Sequence, residues 1–132
     1  MTVGLLIIAH DQLGQVLLDT VLGTLGILPL PAKALSVSRD VDPDELVQRA
    51  RELTRRLDTG DGVLVLTDMY GSTPGNIACR LLDEHVQVIA GVNLPMVFRV
   101  LNYPDLDLGA LAEKAVSGGT AGVLRCEQPQ VH

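Results

Sequence analysis

His10 is the residue whose type and position first suggest chemistry in this sequence. It follows a seven-residue apolar run, Val3–Ala9, which is typical of a fully buried parallel strand. In open α/β sheets, ligands and reacting groups collect at the carboxyl ends of the strands, where this imidazole stands. A neutral imidazole is a nucleophile through its unprotonated ring nitrogen. We therefore expect His10 to carry any chemistry that this protein performs.

Asp68 is a suitable partner for this histidine, because it follows another apolar run, Val63–Thr67. A carboxylate that accepts a hydrogen bond from one ring N–H fixes the tautomer and stabilises the positive charge that grows as the ring attacks. If the first and third strands are adjacent and their helices lie on opposite faces, the crevice between them is the topological switch point. His10 and Asp68 then face each other across it.

Gly71, Ser72 and Thr73 offer a place for an anion just before Pro74. Glycine lets the backbone approach closely, while hydroxyls and the N–H groups at a helix start donate hydrogen bonds. A nucleophilic histidine, an orienting carboxylate and such a cradle together indicate transfer of a phosphoryl group through phosphohistidine. Ser72 and Thr73 also suit an ordinary helix cap, and that alternative stays open.

The composition predicts one α/β domain over residues 1–126 with a tail over 127–132. Hydrophobic residues make 47% of the chain but aromatic ones only 2%, so Leu, Val, Ile and Ala must build the core. That suits a parallel sheet covered by helices on both faces. The net charge of −6 argues against nucleic-acid binding, which requires clustered basic residues.

The cysteines and the apolar start of the chain exclude several other classes of protein. Cys79 and Cys126 match no zinc or redox spacing, so we expect both to be reduced and buried, with no metal site and no cofactor. The run Val3–Ala9 is too short for a membrane span or a secretory signal. The sequence therefore predicts a cytoplasmic protein without membrane insertion.

Apolar runs alternate with helical patterns along the chain, which is typical of βαβ units. The predicted strands are Val3–Ala9, Lys33–Val37, Val63–Thr67, Val86–Ala90 and a short last strand, Val123–Cys126. The predicted helices are Gly14–Leu25, one that starts with Asp42 as N-cap and Pro43 as first residue, Pro74–Leu82, Pro95–Leu101 and Leu108–Val116. The glycine-rich stretch Ser117–Gly122 predicts a flexible connection to the last strand.

Three motifs in order make nearly the whole chain resemble one family. They are the glycine-containing first strand that ends at His10, the stretch Val63–Asn76 and the stretch Ala90–Met96. With these motifs the chain resembles the enzyme IIA component of the mannose family of the bacterial sugar phosphotransferase system. Since the sequence contains no Ala/Pro-rich linker and no IIB domain, its pattern is closer to the stand-alone proteins of that family.

The resemblance implies a four-stranded parallel sheet of order 2-1-3-4 with helices on both faces. It also implies a homodimer whose subunits exchange a fifth, antiparallel strand. Here that strand is Val123–Cys126, reached through a hinge at Gly118 and Gly119.

The resemblance also implies the chemistry. His10 matches the family's phosphorylated histidine, Asp68 its orienting aspartate and Thr73 its phosphate-contacting hydroxyl, while Ser72 stands where glycine is common. The small carrier protein HPr is then the phosphoryl donor and a IIB protein or domain the acceptor, unless the phosphorylation state serves as a signal to other proteins. Asp11 departs from the family pattern, which commonly has glycine there, and adds negative charge beside the incoming group.

Three other classes of function compete with this interpretation. A receiver domain would be phosphorylated on Asp68, but it needs an acidic pair after the first strand and a lysine after the fifth. A dinucleotide-binding domain needs a glycine-rich fingerprint after the first strand, which is absent. A non-catalytic interaction module would keep the fold without phosphorylation, and Asp11 gives it some support.

Overall fold

The computed structural model describes residues 2–129 and forms a single parallel sheet. The strands are β1 (Gly4–His10), β2 (Ala32–Val37), β3 (Val63–Thr67) and β4 (Val86–Ala90). The helices are α1 (Leu13–Leu25), α2 (Pro43–Leu57), α3 (Thr73–Cys79), α4 (Leu94–Leu101) and α5 (Leu108–Ala121). The strand order β2-β1-β3-β4, with every ladder parallel, confirms the expected α/β class and topology. The end of the expected tail, residues 130–132, lies outside the described residues.

Alternating side chains of β1 divide the core into two layers. Leu5 and Ile7 pack with α1, α4 and α5 on one face of the sheet. Leu6 and Ile8 pack with α2 and α3 on the other. The helices that follow β1 and β3 therefore lie on opposite faces, which makes the β1–β3 crevice the switch point of the sheet.

The helix starts follow the predicted capping chemistry. Asp42 accepts a hydrogen bond from the Asp44 N–H at 3.0 Å, and Pro43 is the first residue of α2. Ser72 caps α3 in the same manner, accepting from the Gly75 N–H at 3.3 Å. The predicted helix Pro74–Leu82 is too long, since α3 ends at Cys79.

The C-terminal part of the chain corrects the sequence prediction. The stretch predicted as a flexible connection is helical as far as Ala121. Its glycines serve close packing instead of bending, because a Cβ at Gly118 would overlap Arg99 and one at Gly119 would lie 2.7 Å from Met96 Cε. The segment Val123–Cys126 has no regular secondary structure in the single chain. Exchange of this strand requires a second copy and stays a prediction.

The predicted burial of the two cysteines is also wrong, although both are reduced as expected. Cys79 and Cys126 are both free thiols and both exposed. Cys79 is the last residue of α3, whose inward positions are taken by Ile77 and Ala78.

Among the described residues, no helix has the length and apolar character that a membrane span requires.

Candidate active site

His10 is the last residue of β1. It lies at the carboxyl end of the sheet, where the chain passes from each strand toward the helix that follows it. It shares the face of Leu6 and Ile8, which α2 and α3 cover, but it extends beyond that cover. In the register of the sheet it stands opposite Val37, the last residue of β2. Its side chain is therefore 51% exposed, although the strand that holds it is buried. A buried strand thus presents the His10 ring to solvent.

Asp68 directly follows β3 and is held against His10 by three hydrogen bonds. Its Oδ2 accepts from the His10 backbone N–H at 2.9 Å and lies 2.6 Å from His10 Nδ1. Its Oδ1 accepts from the Met69 N–H at 2.9 Å. The side chain is only 12% exposed. The structure thus brings together the two residues that the sequence analysis paired.

The protonation state of Asp68 fixes the tautomer of the histidine. Burial alone would raise the pKa of Asp68, but the hydrogen bonds from His10 and Met69 outweigh it and hold the pKa below its ordinary value of 3.8. At neutral pH the carboxylate can therefore only accept hydrogen bonds, and Nδ1 of His10 must carry the proton between them. In the neutral ring, Nε2 then bears the free lone pair.

The loop between β3 and α3 gives its two hydroxyls different surroundings. Ser72 Oγ donates to the Met69 carbonyl at 2.6 Å and accepts from the Gly75 N–H at 3.3 Å, so its proton is committed within the loop. Thr73 instead lines a cleft together with His10. Gly71 has a φ of 86°, a conformation that favours glycine.

The cleft beside His10 has a volume of about 310 Å³ and lies on the β2 side of the ring. Its lining residues are His10, Asp11, Val37, Ser38, Arg39, Val41, Pro43 and Thr73. Sequence reasoning missed the contribution of the loop after β2. The signal was available, because β2 is the neighbour of β1 and its carboxyl end must border His10. A larger groove of about 720 Å³ lies elsewhere, between β4 and α5.

Asp11 has an unusual backbone conformation. Its φ is 48°, and no other non-glycine residue between residues 2 and 129 has a positive φ. Aspartate tolerates this left-handed region better than most residues, but glycine adopts it without strain. The Asp11 N–H donates to the Val37 carbonyl at 3.1 Å, which ties the turn after β1 to the end of β2. The conformation gives a physical reason for glycine to suit this position.

Other candidate groups lie apart from this site. His85 is exposed, and its ring stands 3.6 Å from Glu84. Within residues 2–129, no group of three or more His, Cys, Asp or Glu side chains is arranged to hold a metal ion. Met69 and Tyr70, which follow Asp68, are 64% and 79% exposed. Their exposed side chains add apolar surface to the loop after β3.

Comparison with known proteins identifies the family. The family model EIIA-man, described as "PTS system fructose IIA component", matches residues 4–116. The chain belongs to this family of phosphotransferase-system IIA components. It is 31% identical over 100 residues to the "Putative phosphotransferase enzyme IIA component YadI" of Escherichia coli K12, a match that covers 74% of this chain and 68% of that protein.

A second relative is longer than this chain. The "PTS system mannose-specific EIIAB component" of Escherichia coli K12 is 39% identical over 84 residues, which are 61% of this chain and 26% of that protein. The match thus spans about a quarter of the relative's length.

Solved structures share the fold. The mannose/sorbose-specific IIA subunit from Enterococcus faecalis superposes with a TM-score of 0.88 at 22% identity, covering 100% of both chains. A PTS IIA protein associated with the fucose utilization operon of Streptococcus pneumoniae gives 0.80 at 21% identity, covering 92% of this chain and 91% of that one. At such identities the likeness concerns the fold alone.

Proposed function

We propose that this IIA component accepts a phosphoryl group from phosphorylated HPr on His10 and passes it to a IIB protein or domain, or signals by its phosphorylation state. The observation that carries the proposal is the Asp68 carboxylate 2.6 Å from His10 Nδ1. It leaves Nε2 as the nucleophile of a neutral, exposed imidazole. Because its proposed partners are soluble phosphocarrier proteins, we place this work in the cytoplasm.

The transfer exchanges one N–P bond for another. The Nε2 lone pair of His10 forms a bond to phosphorus, while the N–P bond of the donor's phosphohistidine breaks and its electron pair returns to the donor ring. The His10 ring keeps the Nδ1 proton and gains positive charge, which the adjacent Asp68 carboxylate stabilises. The reverse sequence delivers the group to the acceptor.

The loop before α3 is the proposed cradle of the phosphoryl group. Thr73 lines the cleft beside His10, so its hydroxyl can donate to a phosphoryl oxygen there. Ser72 contributes by capping α3, since its own hydroxyl proton is donated to the Met69 carbonyl. Gly71 allows the close backbone approach. Asp68 fixes the ring, and these three residues hold the anion.

Labelling with a reconstituted phosphoryl chain tests this function. The protein is incubated with enzyme I, HPr and phosphoenolpyruvate, and phosphate incorporation is measured by intact mass for the wild type, His10→Ala and His85→Ala. We expect one phosphate per chain in the wild type and in His85→Ala, and none in His10→Ala. Full labelling of His10→Ala would exclude the assignment. Labelling of Asp68 in its place would support a receiver-like protein, and no labelling of the wild type would favour a non-catalytic module.

We further propose a homodimer in which residues 123–126 pair with the partner's β4. Three features support it: β4 is an edge strand, a groove of about 720 Å³ borders it, and Val123 and Leu124 are 75% and 81% exposed. Ile89 and Val116 give the groove apolar surface. An exchanged strand would cover the free edge and bury these side chains.

Sedimentation of full-length variants tests the dimer. Leu124→Asp places a charge in the proposed strand, whereas Gln128→Asp adds the same charge beyond it. We expect the wild type and Gln128→Asp to sediment as dimers and Leu124→Asp to dissociate. A monomeric wild type would contradict the proposal.

A further inference from the structure

A phosphoryl group on His10 enters a site that already holds negative charge. Asp68 is ionised beside the ring, and Asp11 follows His10 directly and lines the same cleft. The chain as a whole carries a net charge of −6. Neutral hydrogen-bond donors such as Thr73 do not balance the charge of a bound dianion, whereas a guanidinium group does so and also donates paired hydrogen bonds. A positively charged side chain in the cleft would balance the charge of the phosphoryl group.

Arg39 is the basic side chain that lines the cleft with His10 and Thr73. It stands two residues beyond Val37, which faces His10 in the sheet register. Within residues 2–129, Arg39 takes part in no ion pair. Its guanidinium is therefore available to an anion in the cleft.

Asp40, the residue after Arg39, is exposed and does not line the cleft, and the next two acidic residues are engaged elsewhere. Asp42 caps α2 by accepting from the Asp44 N–H. The Asp44 carboxylate pairs with Arg80 at 3.2 Å. The cleft itself is lined by one arginine, Arg39, and one acidic residue, Asp11, whose charges have opposite signs. The arginine favours an anion and the aspartate opposes it.

We propose that Arg39 binds the phosphoryl group carried by His10 and that Asp11 weakens this binding, so that the two residues together set the affinity of the cleft for the dianion. The inference rests on the proposed phosphocarrier function and deepens it. Guanidinium groups match phosphoryl oxygens with paired N–H donors, which an ammonium or an amide cannot reproduce. The loop after β2 thereby becomes part of the phosphoryl site.

Titration with inorganic phosphate tests the anion site without any donor protein. Binding is followed by the NMR signals of the His10 ring in the wild type, Arg39→Gln, Arg39→Lys and Asp11→Asn. Arg49→Gln is the matched control, because Arg49 lies on α2 in a separate hollow with Glu52 and Arg56. We expect Arg39→Gln to weaken phosphate binding by roughly fivefold or more, Arg39→Lys less, and Asp11→Asn to strengthen it by about twofold. Arg49→Gln should match the wild type.

The same variants in the transfer reaction separate this inference from the proposed function. We expect Arg39→Gln to slow phosphorylation by phosphorylated HPr about tenfold relative to Arg49→Gln. If phosphate fails to shift the His10 signals, or shifts them equally in Arg39→Gln and the wild type, the role of Arg39 is overturned. If phosphate binding depends on Arg39 but the donor never labels the wild type, the anion site stands and the phosphocarrier function fails.

Discussion

The two loops that flank His10 differ in how completely the folded chain fixes them. In the loop after β3, Asp68 is held by two hydrogen bonds from His10 and one from the Met69 N–H, and its side chain is 12% exposed. The loop after β2 borders an open cleft of about 310 Å³ and exposes Arg39. One side therefore sets the tautomer of the ring before any partner arrives, while the other stays open to the incoming group. This division suits the proposed role of His10, which is to receive and then release a phosphoryl group.

Of the substitutions considered, Asp68→Asn should have the largest effect, because it changes the residue that fixes the His10 ring. An amide can donate a hydrogen bond to Nδ1 and so favour the tautomer that protonates Nε2, and it carries no charge to stabilise the attacking ring. We expect the single-turnover rate of phosphorylation to fall by roughly 100-fold. Asp105→Asn, at an exposed position in another loop, should keep the wild-type rate. A rate within twofold of the wild type for Asp68→Asn would remove the proposed role of the carboxylate.

The difference between the two loops also explains what the sequence could predict. The strand that ends at His10, the strand that ends before Asp68 and the cap at Ser72 all have local signatures in residue type and spacing. The cleft depends on which strands become neighbours, so Arg39 is recognisable only once β2 lies beside β1.

In the C-terminal region, the sequence predicted a flexible connection where the structure has a helix. Gly118 and Gly119 are flexible by composition, but α4 packs against them closely enough to keep them helical. Tertiary packing, which a single sequence does not display, decides their conformation. A glycine pair alone therefore did not distinguish a hinge from a helix contact.

Gly75→Ala tests how tightly the fixed loop is packed. A Cβ at Gly75 would overlap the Met69 carbonyl, which accepts hydrogen bonds from both the N–H and the hydroxyl of Ser72. We expect the free energy of unfolding in urea to fall by about 2 kcal/mol. Gly23→Ala is the control, because its Cβ meets nothing within 4 Å in α1 and should raise stability by about 0.5 kcal/mol. Equal effects of the two substitutions would contradict the close packing of this loop.

The pH dependence of the free energy of unfolding measures how much the Asp68 carboxylate stabilises this loop, and we expect this effect to be smaller. The folded-state pKa of Asp68 lies below 3.8, so the carboxylate stabilises the folded protein above that pH. This contribution is lost as the pH falls through the folded-state pKa. We therefore expect the difference in free energy of unfolding between the wild type and Asp68→Asn to be largest at pH 5–7 and to shrink below about pH 4. A difference that stays constant down to pH 3 would show that the ionised form is not the stabilising one.

Asp11→Gly should have the smallest effect. Asp11 lines the open cleft that the loop after β2 borders. Glycine adopts the φ of 48° without the steric penalty of a Cβ, although it also has more freedom in the unfolded chain. We expect stability to rise by about 0.5 kcal/mol, whereas Asp11→Ala should lower it. Thermal unfolding of both variants decides the point. A loss of stability in Asp11→Gly would mean that the aspartate side chain makes a contact that offsets the strain.

The central claim is that Asp68 holds Nδ1 of His10 and leaves Nε2 to form the bond to phosphorus. NMR of the phosphorylated, ¹⁵N-histidine-labelled protein tests it directly, because coupling to ³¹P identifies the ring nitrogen that carries the group. We predict phosphorus on Nε2 of His10 with the proton retained on Nδ1. Phosphorus on Nδ1, or an acyl phosphate on Asp68, would contradict the account.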